Sequence, residues 1–227
     1  MASTYTDLGI ELMVTGENAG TWGDKTNTNL SLIEQLTGGV LSISIAGGAG
    51  NQDLTIANGA TTGTAQQRVL EFTGTISGAR VIRFPLLTEN FYIIKNGTSG
   101  AHTVQLKAVS GSGATVTFAA GDKGYKIVYL DGVATNTGVF DVFSNTNFGA
   151  ITATGNILPG ANDTYDLGAT GSVWRNIYTG DLHLNNEHKK EGNIVDGSKG
   201  SWTLQEGAED IYLINNKSNE KFRLKLE

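Results

Sequence analysis

The sequence predicts an all-β protein, and three observations predict it. Thr, Ser, Asn and Gly fill the spaces between short Val, Ile, Leu and Phe runs, with 31 glycines but only 2 prolines in 227 residues. Turn-forming pairs (Asn58-Gly59, Asn96-Gly97, Ser110-Gly111, Asp131-Gly132) recur between those runs at roughly ten-residue spacing. Helical periodicity is confined to one short stretch near the start of the chain.

The elements follow in order. Residues 1–38 open with a polar, glycine-punctuated loop carrying Trp22. A short helix then places Leu30, Ile33 and Leu36 on one face, with Ser31 and Glu34 at capping-box spacing and Gly38 at the C-cap. Residues 39–145 read as eight or nine short antiparallel strands, among them Val69 to Phe72, Val81 to Phe84, Phe91 to Lys95, Tyr125 to Leu130 and Val139 to Phe143. That number of strands implies an antiparallel β-sandwich or jelly roll. Residues 146–190 carry short apolar islands: Ile157-Leu158, Tyr165 with Leu167, Trp174 with Ile177-Tyr178, and Leu182 with Leu184. Each island is too short to cover a core of its own, which predicts an intertwined, trimeric β segment in which copies of the chain supply the missing partners. Residues 191–227 predict a small β cap. Phe222, Leu224 and Leu226 alternate with Lys221, Arg223, Lys225 and Glu227, one buried face and one charged, and Ile211 to Ile214 pair with them across the Asn215 to Asn219 loop.

Two motifs carry a resemblance. The run Asn156 to Gly168, leading into Val173 to Leu182, resembles the "NI.P..D.TYDLG … W.NIY.GDL" segment near the C-terminal end of many bacteriophage tail-fibre proteins, most often those of marine phages. The stretch from Gly16 to Glu34, "G..GTWG..TNTNL.LIE", resembles the module that opens many marine-phage tail-fibre and structural proteins. The Tyr92 to Gly132 and Gly192 to Leu226 stretches resemble other modules of the same proteins. This resemblance implies a rod-like virion appendage of three chains, made in the host cytoplasm, with the N-terminal module attached to other tail or virion proteins. The outer end would then meet a host polysaccharide or outer-membrane protein.

Little else points to chemistry. His102, His183 and His188 are scattered without ligand-pair spacing, so a metal is expected only if a three-fold axis gathers three copies of His183. Asp163 and Asp166, three residues apart in a turn-rich run, read as turn residues rather than a glycosidase pair. Gly47-Gly48-Ala49-Gly50 lacks the Lys-Ser/Thr of a phosphate loop, and Asp122, Asp131 and Asp141 lack a calcium-loop spacing. Tyr125, Tyr129, Tyr178, Tyr212, Trp174 and Trp202 are aromatic faces that could stack on sugars, although strand aromatics are usually core. The net charge of −6 argues against nucleic acid. Cysteine is absent, excluding disulfides and thiolate catalysis. Neither a signal peptide nor an apolar run long enough to span a bilayer is expected.

The expectation is therefore a non-enzymatic, cofactor-free homotrimeric tail fibre that mediates host attachment. Trp22, Leu30 and Ile33 are the virion-docking residues, and Tyr165, Leu167, Trp174, Ile177, Tyr178, Leu182, Leu184, Phe222, Leu224 and Leu226 form the trimer core. Receptor contact falls within 191–227. The alternatives are another virion component (head fibre, collar or baseplate adaptor) or a polysaccharide-degrading tail spike, although 227 residues leave no room for the long β-helix of such spikes.

Overall fold

The structure, a computed structural model, describes residues 2–144 and 146–224. The chain forms two compact units, Met1–Gly149 and Ala150–Glu227, and the all-β class holds in both, with a single helix.

The first unit begins with a two-stranded arm, β1 (Thr4–Tyr5) and β2 (Glu11–Leu12), followed by α1 (Trp22–Gly38). The helix starts eight residues earlier than the periodicity suggests. Trp22 is its first residue rather than part of a loop, and the Ser31–Glu34 spacing lies mid-helix. Thr26, Asn27, Thr28 and Asn29 are poor helix formers, and tertiary contacts override them. The Asn29 side chain clamps the Glu11 backbone, accepting from its N–H and donating to its carbonyl at 2.9 Å each. Lys25 Nζ lies 3.0 Å from the buried Glu11 carboxylate. Lys25, Asn29, Leu32 and Leu36 therefore share the inward side of α1, and Leu32 and Leu36 are buried. Leu30 and Ile33 do not share the face of Leu36; they point outward.

Nine strands follow: β3 (Val40–Ser44), β4 (Gly50–Asp53), β5 (Val69–Thr73), β6 (Arg80–Phe84), β7 (Glu89–Asn96), β8 (Val104–Ala108), β9 (Val116–Phe118), β10 (Gly124–Asp131) and β11 (Val139–Asp141). The expected antiparallel sandwich is corrected here. β3, β5 and β7 pair in parallel in one sheet, and β4, β6 and β8 pair in parallel in the other. The chain thus alternates between two sheets in three stacked coils, a short β-solenoid. Only the last strands are antiparallel, β9 on β8, and β10 then β11 beyond β7. The turn between the sheets is a glycine corner, in which Gly47, Gly74 and Gly100 all have positive φ and bridges Gly47↔Ile76 and Thr75↔Ser99 stack it in parallel. A Cβ at Gly100 would lie 2.2 Å from the Ile76 carbonyl oxygen, so no other residue fits. Of the expected turn pairs, Ser110-Gly111 and Asp131-Gly132 do connect antiparallel neighbours, whereas Asn96-Gly97 lies where the chain leaves β7 for the other sheet.

Leu70, Phe72, Ile82, Phe84, Tyr92, Ile94, Leu106 and Phe118 fill the space between the sheets. Tyr92 is fully buried and its hydroxyl donates to the Ala65 carbonyl at 2.9 Å. Burial pushes its pKa up to about 12.

In the second unit, residues 150–181 contain no strand, apart from a tight turn closed by an Ala169–Ser172 bridge. The expected β segment is thus irregular coil and turn over most of its length. A four-stranded antiparallel meander follows: β12 (Leu182–Asn185), β13 (Ser201–Glu206), β14 (Ile211–Asn215) and β15 (Lys221–Arg223). The predicted β14–β15 hairpin is present, with Leu213 opposite Phe222 and Ile214 opposite Lys221.

Candidate interaction surfaces

The sequence-predicted residues fall on three surfaces. The first is the outer side of α1. Trp22, Leu30 and Ile33 are spaced to share one helical face, and all three are exposed. The Asn29–Glu11 clamp and the Lys25–Glu11 pair hold the adjoining side of the helix, so this stripe is carried on a fixed support. The Lys25 ammonium holds the Glu11 carboxyl below the usual carboxylate range.

The second surface is the coil of the C-terminal unit. Ile157, Leu158, Tyr165, Leu167, Val173, Trp174, Ile177 and Tyr178 are each more than 60% exposed, Tyr178 at 93%. Leu167, Val173, Trp174 and Ile177 line one shallow hollow around the Ala169–Ser172 turn. Asp163 has positive φ, as a turn residue should, and is engaged by Lys189 Nζ at 3.4 Å and His188 Nε2 at 3.6 Å.

The third surface is one face of the terminal sheet. The register aligns Leu182, Leu204, Leu213 and Phe222 in a row across all four strands, with Leu184 opposite Trp202 in the next. Ile211 and Leu224 extend this face. Trp202 and Phe222 meet with ring centroids 5.9 Å apart. The face was expected to be buried, yet Phe222 is 47% and Leu224 38% exposed. Among the described residues, no second layer covers it within its own unit. Leu226 lies outside the described residues. The reverse face mixes polar and apolar side chains, with His183, Thr203, Ile214 and Lys221 in one row and Gln205, Tyr212 and Arg223 in the next. Its polar groups are paired: Thr203 Oγ1 meets His183 Nδ1 at 2.9 Å and donates to Asn216 Oδ1 at 3.0 Å, and Arg223 pairs with Asp210 at 2.8 Å.

Sequence reasoning missed Trp202, Leu204 and Leu213 as members of this face; the alternation of β13 and β14, visible in Trp202/Leu204 and Ile211/Leu213, was the available signal. Also missed were Ile194 and Val195, fully exposed at the tip of the β12–β13 loop. Among the described residues, no group of three or more His, Cys, Asp or Glu side chains is placed to hold a metal ion. No helix among them is long and apolar enough to cross a membrane. Comparisons with protein-family models, with curated proteins and with solved structures return no match.

Proposed function

We propose that this chain is a structural subunit of a bacteriophage virion, a homotrimeric tail fibre or fibre-like appendage that mediates attachment to the host surface. One observation carries the proposal: the C-terminal unit leaves an apolar sheet face and a run of apolar coil islands uncovered. A sheet with one apolar face needs a second layer, and eight coil side chains more than 60% exposed exceed what a monomer ordinarily shows. The occupant is further copies of the same chain. Both orphaned surfaces lie in one unit and both are apolar, so sheet face and coil islands of neighbouring copies supply each other's missing layer. The resemblance of the Asn156–Gly168 and Gly16–Glu34 stretches to phage tail-fibre modules supports the virion setting and the three-fold count. The Trp22–Leu30–Ile33 stripe then serves attachment to another virion protein, and the C-terminal unit faces the host polysaccharide or outer-membrane protein. The role is non-enzymatic.

Light scattering of the purified chain tests this. The expected mass is three times 23.9 kDa; a folded monomer at micromolar concentration overturns the assembly.

A further inference from the structure

A fourth surface has no part in that reading: the outward face of the five-stranded sheet in the N-terminal unit. Tyr92, Ile94, Val128 and Leu130 point inward and are buried, so their strand neighbours point out. The register arranges those neighbours in rows. Phe140, Tyr129 and Phe91 form one row, because Tyr129 lies opposite both of the others. Ile127, Ile93 and Val69 form the next.

The two outer ends of the aromatic row are propped. Tyr129 stacks on Phe140 with centroids 4.9 Å apart and planes 16° from parallel. The Arg68 guanidinium lies 3.9 Å from the centre of the Phe91 ring. Arg68 is held there by Asn90 Oδ1 at 2.9 Å and by the Phe91 carbonyl. Between Tyr129 and Phe91 a hollow remains, bounded also by Glu89, Asn90, Leu130 and Asp131. Phe91 and Tyr129 remain 48% and 44% exposed.

Glu89 and Asp131 are directly opposite each other on β7 and β10, two residues from the rings and on the same face. Like charges in that position cost stability, yet no ion pair among the described residues neutralises either carboxylate. Asp131 Oδ1 accepts from Gly138 N at 2.8 Å and Val133 N at 3.2 Å, and Oδ2 has no donor among the described residues. The Tyr129 hydroxyl has no hydrogen-bond partner among the described residues either.

We infer that the Phe91–Tyr129 hollow binds a neutral sugar ring of a polysaccharide. The C–H face of a pyranose packs on an aromatic ring, and rigidly propped rings lose little freedom on binding. The free carboxylate oxygens of Glu89 and Asp131 accept from sugar hydroxyls, and the Tyr129 hydroxyl donates to or accepts from them. Set against the single Arg68 guanidinium over Phe91, the two carboxylates leave the site net negative, so it disfavours uronates and other acidic sugars by charge as well as shape. This inference does not rest on the assembly reading, because every residue in it belongs to the N-terminal unit.

The test is binding of the full chain to a printed array of neutral, amino-bearing and uronate oligosaccharides. Retention on neutral saccharides is expected, weakened roughly tenfold or more by Phe91→Ala and by Tyr129→Ala. Oligomer mass and melting temperature should hold in both variants. Tyr178→Ala, in the other unit, should leave retention unchanged, and Glu89→Gln should admit uronates. The proposal is overturned by absence of retention on every neutral saccharide, by retention that survives removal of either ring, or by preference for amino-bearing or uronate sugars. It is also overturned if either ring variant dissociates the oligomer, which would assign this face to a second copy. A monomeric chain that still binds neutral saccharides would refute the assembly and leave this site standing.

Discussion

Trp174→Ala separates a chain that assembles through its C-terminal unit from one that does not. The indole is 61% exposed in the single chain. An indole presents up to ~250 Å², so covering the remainder removes ~150 Å² from water. At ~25 cal/mol per Å² that burial contributes about 4 kcal/mol per copy, of which the retained Cβ keeps a small part. Truncation should therefore cost about 3 kcal/mol per chain and roughly 10 kcal/mol per trimer. That is about seven decades in the trimer association constant, and three to four in the concentration at which half of the chains are assembled. Sedimentation velocity over a dilution series reads this directly: variant monomers should appear at concentrations where the unchanged protein is trimeric. The isolated chain should be almost indifferent, since substitutions at exposed positions usually change stability by no more than ~0.5 kcal/mol. Identical mass distributions for the two proteins would refute the reasoning, because they would leave the indole exposed in the assembly as well.

Five further outcomes follow from the same geometry. Leu224→Asp should abolish trimer formation while leaving monomer secondary structure intact by circular dichroism. Lys221→Glu, on the polar face of β15, should spare assembly. Replacing Trp22, Leu30 and Ile33 together with serine should leave melting within a few degrees of the parent, since Leu32 and Leu36 carry the inward contacts, but should stop incorporation into particles. Gly100→Ala should lower stability by ~1–3 kcal/mol or more, because φ is +94° and the new Cβ would meet the Ile76 carbonyl; an unchanged melting temperature would contradict the glycine corner. The pair between Glu11 and Lys25 sets a pH dependence. Glu11 has a lowered folded pKa, so its contribution is fully present above the ordinary value of 4.5 and is lost as pH falls through the lower folded value. Hydrogen exchange of residues 4–12 should rise in that acid window, and Glu11→Gln should weaken the pH dependence, leaving the part set by Glu17, whose carboxyl is held low by its hydrogen bonds from Ser3.

Much of the strand inventory was legible in the sequence. Val69, Val81, Phe91, Tyr125 and Val139 each lie in a strand that alternation and flanking turns had marked. Pairing direction was not legible, because a glycine with positive φ serves a hairpin turn and a coil corner equally well. Only the repetition of such glycines at Gly47, Gly74 and Gly100, each following a strand of the same sheet, distinguishes the two, and their uneven spacing hides it. The start of α1 was illegible for another reason: its first turns are held by Glu11, a residue outside the helix, and local propensity carries no trace of that clamp. The proposed docking residues Trp22, Leu30 and Ile33 could be named, but the helix face was inferred from the wrong companion, since Leu36 packs inward. The apolar islands were visible as islands; that they stay uncovered follows only from the exposure of Ile157 through Tyr178. The Phe91–Tyr129 hollow was out of reach, because it depends on the register between β7 and β10.

The C-terminal unit is uncovered without being loosely held, and in the proposed assembly this combination favours docking of a preformed surface over folding on contact. The Asn193 side chain caps the β12–β13 loop, its Oδ1 accepting from Val195 N at 2.8 Å and Asp196 N at 3.1 Å, and Asp196 accepts from Ser198 N at 2.9 Å. The Ser198 hydrogen bond holds the Asp196 carboxyl below the usual range. Asn215 caps the β14–β15 turn in the same way, accepting from Lys217 N at 2.9 Å, with Asn219 in the left-handed conformation the turn needs. Polar contacts thus fix the meander's backbone before any apolar face is covered. Ordering a loop or side chain at an interface costs ~0.5–1.5 kcal/mol per immobilised rotamer-rich group, and a sheet already ordered avoids most of that cost. The apolar row Leu182–Leu204–Leu213–Phe222 is therefore presented as a preformed surface. Breaking the Asn193 cap, which touches no apolar residue of that row, should slow assembly more than it lowers the stability of the finished trimer. Asn193→Ala examined by stopped-flow association and by thermal melting distinguishes these effects; equal losses in both would show that the loop is ordered by assembly instead.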